Sequence, residues 1–139
     1  MVLQRWQSVY LLVAVFAMIL GCILPFGAII EEGVTSLKLM PVDFPVLLTL
    51  NILIGILLAI DIFMYKNLRA QKMVAAVSAL LCVASLATQV LLLVRNEASF
   101  ALVWNGSIIA TFCAFVCALM ARYNMNRDEK ILKSYDRLR

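Results

Sequence analysis

The sequence predicts an all-α integral membrane protein: a four-helix bundle followed by a short, cytoplasmic, amphipathic carboxy-terminal helix. Three observations carry that prediction. Apolar runs of about 22 residues at 8–30, 44–65, 73–94 and 100–121 would each reach roughly 33 Å as helices, enough to cross a ~30 Å hydrocarbon core. Charged residues close off the runs. Composition agrees, with 65% hydrophobic residues, 14% charged and a mean hydropathy of +1.00. The chain divides into one membrane domain, 1–121, and a basic tail, 122–139, and neither the tail nor the longest connection can bury a core of its own.

In the first run, Gly21, Pro25 and Gly27 predict a kinked or loosened helix end. Ile19, Leu20, Gly21 and Cys22 loosely resemble a lipoprotein cleavage site, but apolar residues continue to Ile30 where a lipidated cysteine would meet a polar tether. Glu31 to Asp43 reads as a connecting loop. The second run contains Asn51 and Asp61, the third Gln89, and the fourth Asn105. Gly106, Ala110, Ala114 and Ala118 form a small-residue stripe at four-residue spacing, with Ala75 and Ala79 offering a partner stripe on the third helix. In the tail, Asn126 and Glu129 match a capping box, and Ile131, Leu132, Tyr135 and Leu138 would share one helix face.

Orientation follows from the basic residues, which cytoplasmic segments retain. Ten of the 12 Lys and Arg fall on one side: Arg5; Lys66, Arg69 and Lys72; and Arg122, Arg127, Lys130, Lys133, Arg137 and Arg139. Lys38 and Arg95 are left for the other side, beside Glu31, Glu32, Asp43 and Glu97. A bacterial inner-membrane protein with both termini in the cytoplasm is the expectation. The net charge of +4 is mostly this inner rim, which argues against a nucleic-acid footprint.

Little in the chain supports catalysis. It has no His, so no side chain titrates near neutrality without perturbation. Cys22, Cys82, Cys113 and Cys117 all fall within the apolar runs, out of reach of partner disulfides, and Cys113 and Cys117 lack a third metal ligand. They read as small buried apolar residues. No enzyme activity, metal or cofactor is expected, and Asn105-Gly106-Ser107 reads as a chance glycosylation sequon inside a span.

Two intramembrane features remain. Asn51, Gln89 and Asn105 lie at similar depth and can hydrogen-bond across helices, with a polar pocket or solute path as the sharper alternative. Asp61 is the acidic residue within a span; one turn from the cytoplasmic end, it can be satisfied by Lys66, Arg69 or interfacial water. A proton- or cation-coupled role is the alternative. Small multidrug transporters carry their carboxylate in the first span, where this chain has none.

The amino terminus MVLQRWQSVYLL, the loop YKNLRAQ and the ending NRDEKILKSYDRLR resemble domain-of-unknown-function family 4293, small four-span membrane proteins found chiefly in Bacteroidota. The resemblance implies an inner-membrane location and no established activity. It also implies that Arg5, Lys66, Asp128, Glu129, Lys130, Asp136 and Arg137 act together on the cytoplasmic face. Lys72, Lys133, Arg69 and Arg139 extend that rim as a docking or lipid-binding surface. The expected role is structural or accessory: binding another membrane or cytoplasmic component, with the bilayer itself as a partner and a homo-oligomer as a further option. The alternative is a small transporter or channel using Asp61 and the amide layer.

Overall fold

The computed structural model describes residues 2–31, 33–96 and 105–138. Its elements run α1 (Val2–Ile23), β1 (Gly27–Glu31), β2 (Val34–Leu39), a 3₁₀ turn (Pro41–Asp43), α2 (Pro45–Phe63), α3 (Leu68–Arg95) and α4 (Gly106–Arg137). All four α-helices are long and apolar enough to cross a membrane. Neighbours around the bundle run α1, α2, α3, α4 and back to α1, with the α1–α4 seam the most extensive.

The bundle is inside-out by the standard of a soluble protein. Gln7, Asn51, Asp61, Gln71, Ser78, Ser85, Gln89, Ser107, Thr111 and Asp128 are buried, whereas Phe16, Ile56, Phe63, Leu80, Leu91 and Phe112 are exposed. Water would penalise that arrangement; hydrocarbon favours it, because the polar groups pair inside while the apolar faces meet lipid.

The first apolar run does not remain helical to Ile30. α1 ends at Ile23, and β1 takes Gly27–Glu31 into an antiparallel hairpin with β2. Pro25 is the cause, since it lacks the N–H that would continue the helix. Gly33 makes the turn with φ +79°, a conformation that suits glycine. The register shifts between Ile29 and Ile30, bending the ribbon. Phe26, Leu39, Leu47 and Leu93 form a small cluster under the hairpin, with Phe26 edge-on to Phe44 at 5.6 Å. Residues 34–43 are therefore structured, and the hairpin is an addition to the predicted four-helix bundle.

The same proline builds the α1–α4 seam. The carbonyl of Gly21 would ordinarily accept from the N–H four residues on, which Pro25 does not have. Ser107 Oγ donates to that carbonyl at 2.6 Å, and Ser107 N–H donates to the Pro25 carbonyl at 3.0 Å. Close approach is possible because the helices present small residues: a Cβ on Gly21 would sit 3.7 Å from Ala110, and one on Gly106 only 3.1 Å from Leu24. The small-residue stripe thus works within the bundle, packing on α1 as well as on α3; Ala14, Ala17, Ala75, Ala79, Ala114 and Ala118 share one core cluster.

The tail is not a separate helix. α4 continues through it for 32 residues without a break, roughly 48 Å, and Asn126 lies in mid-helix instead of capping. Of the fourth predicted span, 100–104 lies outside the described residues, and the helix starts at Gly106.

Candidate functional site

Polar side chains inside the bundle fall into two tiers, separated by the apolar cluster of Leu11, Ala14, Ile54, Leu58, Ala79, Cys82, Ala114 and Ala118. The tier nearer the hairpin is a directed hydrogen-bond chain. Gln89 Nε2 donates both to Ser85 Oγ at 3.3 Å and to Thr111 Oγ1 at 3.1 Å. Ser85 passes its own proton to Asn51 Oδ1 at 2.6 Å. Thr111 donates to the Ser107 carbonyl at 2.9 Å, and Ser107 reaches Gly21. All four helices are joined in one network, as interhelical polar contacts in a membrane require.

Asn51 and Gln89 are thus linked, through Ser85, as part of the predicted amide layer. Asn105 is not. It precedes α4, and its Oδ1 is buried without a hydrogen-bond partner among the described residues. Thr111 and Ser107 take the place assigned to it. Ser85 and Thr111 were not singled out in the sequence and Ser107 only within a chance sequon, although Ser85 lies four residues before Gln89 and Ser107 four before Thr111, a spacing that shares a helix face.

The second tier lies at the opposite end. Asp61 is fully buried on the inner stripe of α2, which also carries Leu47, Asn51, Ile54 and Leu58. Both its carboxyl oxygens lack a hydrogen-bond partner among the described residues, so the anchoring by Lys66 or Arg69 read from the sequence is not formed. Lys66 and Arg69 are exposed, Lys66 standing 6.0 Å from the Tyr65 ring. Gln71 donates to the backbone carbonyl of Asp61 at 3.2 Å, which also accepts from the Met64 N–H at the end of α2.

Farther out, the tail is tied to the bundle. Buried Gln7 on α1 donates to Asp128, and Lys72 on α3 pairs with Glu129, which also binds Lys133 at 2.9 Å. Above all the hydrogen bond from Lys72, and then that from Lys133, hold the Glu129 carboxyl down from its ordinary 4.5 to about 2. Asp128 through Oδ2 and Glu129 through both oxygens are therefore engaged in internal contacts, and Asp128 Oδ1 is buried without a partner among the described residues. Lys130, Lys133, Asp136 and Arg137 are exposed, while Arg139 and the Arg5 side chain lie outside the described residues. Gln7 and Gln71 were not singled out in the sequence.

Among the described residues no group of His, Cys, Asp or Glu could hold a metal, and the four cysteines are free thiols.

A family model for a domain of unknown function, DUF4293, matches residues 3–138. The chain belongs to the DUF4293 family. The match covers both polar tiers, the hairpin and all but the edge of the tail, so each is part of the DUF4293 domain. Comparison with curated proteins and with solved structures finds no significant match.

Proposed function

We propose that this DUF4293 protein is an accessory membrane protein that acts by binding, recruiting a protein partner through the protruding end of α4. It resides in the bacterial inner membrane with both termini in the cytoplasm. The observation that carries the reading is the state of that helix end. Contacts from Gln7 and Lys72 fix α4 at Asp128 and Glu129, and every described residue from Lys130 onward is exposed. Leu132, Tyr135 and Leu138 are among them, at 55%, 67% and 85% exposure. A helix continuous with a membrane span and held at its root points away from the bilayer, which favours a protein over the headgroup layer as its partner. The basic rim supports the orientation.

The test is crosslinking in intact cells, followed by mild-detergent purification and mass spectrometry of the tagged protein. Crosslinks from Lys130 or Lys133 to one stoichiometric protein, lost on removing 131–139 while the bundle remains folded, support the reading. A lone monomer or homo-oligomer, or a partner retained by the truncated protein, refutes it.

A second reading rests on Asp61. A buried carboxyl without a partner inside a membrane bundle favours proton or cation coupling. Reconstituted vesicles test it: proton flux present in the wild type and lost in Asp61→Asn supports coupling, and equal flux in the two rejects it.

A further inference from the structure

The hydrogen-bond chain of the first tier has a direction, and that direction leaves one donor over. Gln89 Nε2 gives its protons to Ser85 and Thr111, so the Ser85 hydroxyl acts as acceptor there and must spend its single proton on Asn51 Oδ1. The chain ends at Asn51 Nδ2, which is buried and has no acceptor among the described residues.

Asn51 also lines a groove of about 360 Å³ between α1 and α2. Met18 and Cys22 form part of one wall; Gly55 and Ala59, one and two turns beyond Asn51, form the other. Gly55 leaves this part of the groove open: the nearest atom to a Cβ there would be that of Met18, at 3.9 Å, so a longer side chain would project into the space. It opens on the face that meets lipid, where Ile19, Ile52 and Ile56 are half exposed. Along α2 it runs from Asn51 to Ala59, about 12 Å, across the middle of the helix. Its polar end is the one toward the hairpin. Asn51 stands one turn below Leu47, which the hairpin cluster covers.

An apolar slot with one unmet N–H donor at its outer end fits an apolar chain with an acceptor at its head. We propose that the α1–α2 groove binds one acyl chain of a glycerophospholipid, whose ester carbonyl accepts a hydrogen bond from Asn51 Nδ2. In a dry environment an unpaired amide is costly, and the ester carbonyls of lipids in the adjoining leaflet are acceptors that can enter from the open side. The bound lipid gives Asn51 Nδ2 an acceptor and so joins the bundle's interior to its annulus.

The experiment uses the full chain in phosphatidylethanolamine–phosphatidylglycerol vesicles. These contain a trace of a phospholipid with a photoactivatable diazirine on one acyl chain, in ester-linked or ether-linked form. Adducts are mapped by mass spectrometry. Labelling should concentrate on Met18, Ile52, Ile56 and Ala59. It should fall about fivefold with the ether lipid, as expected for one lost hydrogen bond, and disappear from the groove in Gly55→Leu. Labelling spread evenly over the lipid-facing surfaces overturns the proposal. So does groove labelling equal for ester and ether lipids, or a groove protected by another polypeptide's helix. The ester and ether comparison is made on the wild type, so it stands even where Gly55→Leu fails to fold.

Discussion

Gln7 and Asp128 show how a buried polar pair is worth most through what its loss leaves behind. They face each other across the α1–α4 seam. Replacing one by Leu strands its partner's polar group, which costs about 1–3 kcal/mol, whereas replacing both removes the need for a partner. Thermal unfolding in detergent should therefore show Gln7→Leu and Asp128→Leu each destabilising, and the double variant less destabilised than their sum. Glu129 behaves differently because it is partly exposed and doubly paired. Its depressed folded-state pKa means that its contribution is complete above about pH 4.5 and fades as pH falls toward 2. Hydrogen exchange of the tail should accelerate over that window in the wild type. In Glu129→Gln that component of the acid response should be missing.

Two elements, the end of α1 and the start of α4, depend on each other through a missing N–H. Pro25 leaves the Gly21 carbonyl without its helical donor, and Ser107 supplies one from the neighbouring helix. Ser107→Ala should cost on the order of 1 kcal/mol in unfolding free energy. Pro25→Ala restores a backbone N–H at that position, so the same serine substitution in its background should cost less. A double-mutant cycle on thermal unfolding measures the difference; equal costs in the two backgrounds would refute the coupling. Beyond the proline, Gly27 lies where a Cβ would fall 2.1 Å from Leu93 Cδ2, so any larger residue there would have to displace the Leu93 side chain beneath the hairpin.

At the scale of the whole molecule, the bundle presents a hairpin at one end and a basic, protruding helix at the other. The proposed orientation puts the hairpin outside the cytoplasm. With the four native cysteines replaced, a cysteine at Lys38 should react with an impermeant maleimide in intact cells. One at Lys133 should react only after permeabilisation. The reverse pattern would invert the topology and remove the cytoplasmic partner from the proposed function.

Four helices and their approximate places were determined by the sequence alone, because spanning a bilayer demands length and apolarity that single runs display without reference to one another. The seam stripe of Gly106 to Ala118 was legible for the same reason: a four-residue spacing fixes a helix face. Tertiary structure decided what depended on a second segment. Residues 27–30 are as apolar as any span, yet they pair with 35–39 as a hairpin once Pro25 ends the helix. Asn126 to Glu129 carry a capping signature, yet Gln7 and Lys72 hold Asp128 and Glu129 within an unbroken helix. Asn51 and Gln89 could be named from the sequence, but the order of donors that leaves Asn51 Nδ2 unpaired among the described residues could not, since it depends on which hydroxyls α3 and α4 bring within reach.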